Sequence, residues 1–311
     1  MYLRLLAAVV VALAVPGAAS ASQLIDRNAS HVQLLVARDG MALLKYQVGA
    51  TQRKVAVWGA INARNPTPGV PQVKFQLDYS GRTWTKGKHT DACRPYTGPA
   101  LAWFLTACTA SDGSFWAVQS WQRVLPDLGF TPWLPAQTAW ELHISHWTGP
   151  TAVLALGTDW VYNGRWEELF GQLTYRGVPV HGFKTTSRGV TLDGYGRYLY
   201  LDTFDSVYGP GWRRENGFVA HKPNGNFCYG FYPFPTASYD HPSGSLATRG
   251  PGVGTRYRIS VIGPGVTPDV AAGIDGLHPF DAKSPTDLAY EAEQDALRSE
   301  LASGDTLCHH R

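Results

Sequence analysis

The sequence predicts an all-β fold, a mostly antiparallel sandwich or two related β units, with one short C-terminal helix. Three observations predict it. Apolar and polar residues alternate with period two. In QVKFQLDY (72–79) Val73, Phe75, Leu77 and Tyr79 share one face, and in RYRISVIG (256–263) Tyr257, Ile259 and Val261 do the same, as in a half-buried strand. The chain holds 33 Gly and 21 Pro, a density that interrupts helices and suits many short strands. ARDGM (37–41), SDGS (111–114) and PNGN (223–226) carry the Asp-Gly or Asn-Gly pair of tight hairpins.

Taken in order, the chain begins MYLRLLAAVVVALAVPGAASASQ. Arg4 precedes an apolar run over 5–15, Pro16-Gly17 breaks it, and Ala19-Ser20-Ala21 supplies the small-x-small pattern of a cleavage site. That is the anatomy of a secretory signal peptide over 1–21, with the mature chain starting at Ser22. The run is shorter than the ~20 residues a bilayer span needs, so no transmembrane segment is expected. Alternating or β-rich runs then predict strands at 32–37, 42–48, 53–60, 72–79, 114–121, 139–147, 151–161, 168–175, 178–186, 198–204, 217–222, 226–232 and 256–263. The stretch GPALAWFLTAC (98–108) fits a short helix or part of a hairpin. A helix is expected from Ser284, which can cap, through Pro285 and Asp287 in the first turn, to about 302. Its apolar stripe would be Leu288, Ala292, Leu297 and Leu301. The similar order of LDYS (77–80) before DGSFWAVQSW (112–121) and LDTF (201–204) before NGNFCYGFYP (224–233) suggests two related halves. We divide the chain into 22–148, 149–283 and a C-terminal helix and tail over 284–311.

In an exported chain, four cysteines imply disulfides. Cys93 and Cys108 lie close together and are expected to pair, leaving Cys228 with Cys308. A zinc site would need close pairs such as CxxC, and there is none, so no metal and no cofactor is expected. The formal charge of +3 falls to +2 without Arg4, too small an excess for a nucleic-acid surface.

For chemistry, ELHISHWTGP (141–150) stands out. On a helix His143 and His146 could share a metal, but Trp140, Leu142, Ile144 and His146 alternate with Glu141, His143, Ser145 and Trp147. On a strand the two histidines face opposite ways. What remains is Glu141 with His143 on one face, a candidate acid–base pair; His146 is expected to be a hydrogen-bonded residue of the apolar side. Asp202 and Asp205 also face opposite ways, as ordinary strand-end residues. The Gly-Pro-Gly triplets at 209–211, 250–252 and 263–265 are expected to be turns. GxSxG, HExxH and EF-hand patterns are absent from the sequence. Asn28-Ala29-Ser30 fits a glycosylation acceptor.

Aromatic residues are dense, with 11 Trp, 15 Tyr and 12 Phe. Trp84 in SGRTWTKGKH, and Trp212 in GPGWRREN beside Arg213, are expected in loops, where an indole could stack on a sugar ring while polar neighbours orient it. The motifs SHWTGP, LTYRGVP (173–179) and YGPGWRREN (208–216) resemble those of a group of uncharacterised exported bacterial proteins; the resemblance implies export and no activity. The function expected is therefore a non-catalytic binding module, with a glycan as ligand, secreted or held at the cell envelope. The alternatives are a structural or protein-partner role, and a secreted hydrolase using the Glu141/His143 pair.

Overall fold

The computed structural model describes residues 22–64, 67, 69–122, 139–161, 164, 166–185, 191–206, 209–214, 220–222, 224–231, 253–263, 267–301 and 308. The signal peptide expected over 1–21, the triplet at 250–252 and residues 264–265 of the third triplet lie outside these. Four antiparallel sheets pair face to face as two sandwiches.

In the first sandwich, one sheet has the order β1 (Gln23–Arg27), β8 (Trp140–Trp147), β7 (Phe115–Gln122), β6 (Phe104–Thr109). The other runs β2 (Ala29–Val36), β3 (Ala42–Val48), β4 (Thr51–Gly59), β5 (Phe75–Asp78). Alternation places Leu44 and Val57 opposite Trp116, Leu142 and Ile144 in one buried core. At the ARDGM turn Ala37 N–H donates to the Met41 carbonyl, and at SDGS Ala110 N–H donates to the Ser114 carbonyl, closing the β2–β3 and β6–β7 hairpins.

The second sandwich sets β9 (Ala152–Val161), β10 (Trp166–Tyr175), β17 (Asn226–Phe231) and β16 (Ala220–His221) against β14 (Tyr198–Ser206), β18 (Arg256–Ile262) and β19 (Val270–Asp275). β11 (Val178–Pro179) extends the first sheet; β12 (Lys184–Thr185), β13 (Thr191–Leu192) and β15 (Gly209–Arg214) extend the second. Its core includes Leu169, Leu173, Leu201, Phe227 and Ile259. In LTYRGVP the turn residues Arg176 (φ 55°) and Gly177 (φ 74°) are both left-handed, the backbone that a two-residue hairpin needs to match strand twist.

Expectations change at 178–186, at 209–211 and on the buried face of the C-terminal helix. The strand expected over 178–186 is two short strands in different sheets, because the chain crosses between them at Gly182 (φ 80°). The ambiguous 98–108 contributes the strand β6, and the triplet at 209–211 opens β15 instead of forming only a turn. The C-terminal helix α2 (Pro285–Leu301) is present, with Ser284 and Asp287 hydrogen-bonded to each other at its start. Its buried face, however, is polar: Asp287, Gln294 and Arg298 are buried while Leu288 is exposed.

Both expected disulfides are formed, Cys93–Cys108 and Cys228–Cys308. The first fastens the segment before β6 to that strand; the second ties the tail to β17 beside Phe170 and Leu301. No helix among the described residues is long and apolar enough to cross a membrane.

Candidate functional site

Glu141 and His143 do share a face of β8, and that face is covered. His143 is 5% exposed and Glu141 7%. One ring nitrogen of His143 lies 3.3 Å from Glu141 Oε2 and the other 3.0 Å from Ser22 Oγ. Ser22 in turn donates to Asp269 Oδ1 at 2.6 Å, and Trp121 Nε1 donates to Asp269 Oδ2 at 3.0 Å. Arg27 closes the other end by donating to Glu141. Gln119, paired with His143 across β7 and β8, grips the Asp269 backbone through both its N–H and its carbonyl. The order serine, histidine, carboxylate resembles a nucleophilic relay, but a general base must present a nitrogen to the proton it removes. Both imidazole nitrogens are already engaged, and Ser22 is 2% exposed. This cluster pins the first sandwich to the second; it does not present a reacting group.

His146 takes the opposite face of β8. Its ring stacks on Trp116 at 4.1 Å, and its nitrogens meet the Gly59 carbonyl and Ser114 Oγ, both at 2.9 Å. Burial holds it below the ordinary histidine range, as desolvation disfavours the cation. Among the described residues no group of three or more His, Cys, Asp or Glu side chains is placed to hold a metal ion.

The two tryptophans expected to line loops are placed otherwise. Trp84 sits in the short helix α1 (Arg82–Lys86) and is buried against Ala37, Leu43 and Ala56 on the outer face of the β2–β5 sheet. The basic, polar loop around it hid an amphipathic turn of helix. Trp212 lies in β15, its ring against Phe204 and 4.2 Å from the Arg258 guanidinium. Arg258 and Arg214 converge on Asp202, which is fully buried between them. Arg213, next along β15, accepts a hydrogen bond from Thr203 at its carbonyl. The surroundings of Trp212 and Arg213 are thus a stack of internal ion pairs and rings. Asp205 accepts from the Gly211 N–H at 2.7 Å in the bulge of the β14–β15 hairpin.

Among the described residues, a cleft of about 470 Å³ opens to solvent at one end of the first sandwich. Asp26 is among its lining residues. Its Oδ2 accepts from the Tyr46 hydroxyl at 3.0 Å and from Arg53 at 2.7 Å. The β-bulge between Leu24 and Asp26 turns this carboxylate toward β4. Burial, reinforced by the Asp26 carboxylate, pushes the Tyr46 phenol above its ordinary range. Gln52, Arg53 and Lys54 line one wall from β4. Strand β5 pairs only with residues 56–59 of β4, so 51–55 have no partner strand on that edge among the described residues. Tyr79 also lines the cleft and is 57% exposed. The alternation in QVKFQLDY placed Tyr79 with the apolar face, but β5 stops at Asp78. There the side chain accepts from Ser80 N–H, Ser80 Oγ and Thr83. These hydrogen bonds, those from Ser80 foremost, hold the Asp78 carboxyl well below its usual range. An aspartate before Ser-Gly is a turn signal, and it turns the next ring outward.

No family model, curated protein or solved structure matches the chain. The functional reading therefore rests on these residues.

Proposed function

We propose that this protein is a non-catalytic saccharide-binding module, exported after removal of residues 1–21 and working outside the cell or at its envelope. The observation that carries the reading is the cleft: an exposed Tyr79 ring facing polar groups of fixed position. A sugar offers an apolar ring face and a rim of hydroxyls. Tyr79 can stack on the first, while Asp26, Arg53 and Gln52 can bond the second. The volume falls within the roughly 300–1,000 Å³ of small-ligand sites. Tyr46 and Arg53 hold the Asp26 carboxylate in place before any ligand arrives, which lowers the ordering cost of binding. Export is supported by the leader pattern and is compatible with two disulfides. A hydrolase built on Glu141 and His143 is disfavoured by their burial.

Thermal unfolding of the mature protein with a panel of cell-wall and plant glycans tests the proposal. A ligand at about 100 times its dissociation constant adds about 2.7 kcal/mol, so one glycan class should raise Tm. Tyr79→Ala should abolish the shift without lowering the ligand-free Tm. No shift across the panel would defeat the reading and favour a protein partner or structural role.

A further inference from the structure

We infer that the saccharide taken by this cleft carries an anionic group; the inference rests on the saccharide reading above and concerns what that site selects. Charge around the cleft is not balanced once internal bonds are counted. Asp26 is already met by Tyr46 and Arg53, and Asp78 by Ser80 and Thr83. The lining itself carries one carboxylate, Asp26, against two cations, Arg53 and Lys54, and Asp26 is ion-paired to Arg53. Lys54 is among the lining residues; Lys45, its partner on β3, and Arg82, two residues past Ser80, stand outside the lining. All three are exposed, and none makes an ion pair among the described residues.

Lys54 is also held in place. A Cβ on Gly81 would fall 2.9 Å from Lys54 Cγ and Cδ, so the lysine stem lies along the glycine at the entry to α1. Arg53 spends one nitrogen on Asp26 and is about half exposed, which leaves guanidinium N–H groups for a second acceptor. A ring stacked on Tyr79 thus meets a lining of two cations and one carboxylate, and that carboxylate is already paired with Arg53. Two ligand chemistries share what this arrangement reads: a uronate, which carries a carboxylate, and a sugar phosphate.

An array of immobilised neutral, uronate-bearing and phosphate-bearing oligosaccharides distinguishes the cases, probed with the mature protein and with Lys54→Gln and Tyr79→Ala. Both positions are exposed, so both variants should fold. We expect binding to acidic spots only, with the stronger of the two acidic classes identifying the source of the anion. Binding should weaken as salt rises, fall about fivefold in Lys54→Gln, the upper range for one exposed ion pair, and disappear in Tyr79→Ala. Equal binding to neutral and acidic spots, both lost in Tyr79→Ala, would overturn the anion inference and leave the saccharide reading standing. No binding to any spot would overturn both. Acidic binding unchanged in both variants would place the anion on another surface and also overturn both.

Discussion

Replacing Trp84 by alanine empties the space between α1 and the outer face of the β2–β5 sheet, where the indole packs on Leu43 and Ala56. Large-to-small changes of this kind cost about 3–5 kcal/mol. Urea unfolding should show a loss near the lower end, since the site lies at the margin of the core. A loss under ~0.5 kcal/mol would mean that the ring is a surface group after all. Glu167 makes a different kind of prediction. It accepts from the Tyr257 hydroxyl and the Leu277 N–H deep in the second sandwich. Burial outweighs those bonds and pushes its carboxyl up to about 7 from 4.5. The folded protein therefore holds a proton that the unfolded chain releases between those values. Stability contributed this way is full below pH 4.5 and is lost as pH rises through about 7, in total about 3 kcal/mol. Asp159, raised by burial to about 6, acts with the same sign over a narrower window. Denaturant unfolding of Glu167→Gln should give a flatter dependence across this range; a slope equal to wild type would show that Glu167 does not hold the proton.

At the scale of elements, α2 is fastened by charge and a covalent bond more than by apolar area. Arg298 reaches Asp159 at 3.0 Å and Glu168 at 3.3 Å, all three buried, with its guanidinium 4.6 Å from the Phe170 ring centre. Removing one partner from such a group leaves charges buried without compensation, at a cost of about 3–5 kcal/mol. Arg298→Ala should lose that much, whereas Arg298→Met, which keeps the stem and packs on Phe170, should lose less. The Cys228–Cys308 bridge closes 80 residues and constrains the unfolded chain by about 4–5 kcal/mol; Cys93–Cys108 closes 15 and contributes about 3. A serine at Cys308 should therefore lower the urea midpoint more than a serine at Cys93 does. A thiol assay on the unfolded, unreduced protein should find no free thiol. The sequence made the end of α2 and its capping serine legible because capping is local. It misplaced the buried face because the helix docks on carboxylates of β9 and β10, more than 100 residues away. Strands such as β3 and β18 were legible because one face is apolar. β1, β15 and β19 were not: short or Gly-containing, they are strands only because a neighbour pairs with them.

For the whole molecule, the same limit applies to the site. The pair Glu141/His143 could be read from alternation, but whether that face met solvent depended on Ser22 and Asp269, 247 residues apart. Tyr79 and Asp26 were invisible as a cleft because one follows β5 and the other sits on a bulge of β1, brought together only by closure of the first sandwich. The seam between the sandwiches then determines how the molecule unfolds. Asp269, in the segment that leads into β19, is 2% exposed and inserts against the outer face of β7 and β8. Its side chain accepts from Ser22, Trp121 and Gly263, and its backbone is held by Gln119. Each of those donors is buried or half-buried, so losing the carboxylate leaves several unsatisfied, at roughly 1–3 kcal/mol each. That cost falls on the contact between the sandwiches, not on either core, because the two apolar clusters share no residue. In calorimetry the wild-type protein should unfold in one transition, with the seam coupling the halves. Asp269→Ala should separate it into two, since each sandwich keeps its own core while the contact that made them cooperative is weakened. A second variant, Gln119→Ala, removes the grip on the backbone from the opposite side and should move the profile in the same direction. If both variants unfold in one transition at the wild-type midpoint, the Asp269 cluster is not what couples the halves, and the buried Ser22–His143–Glu141 chain would again need a functional explanation.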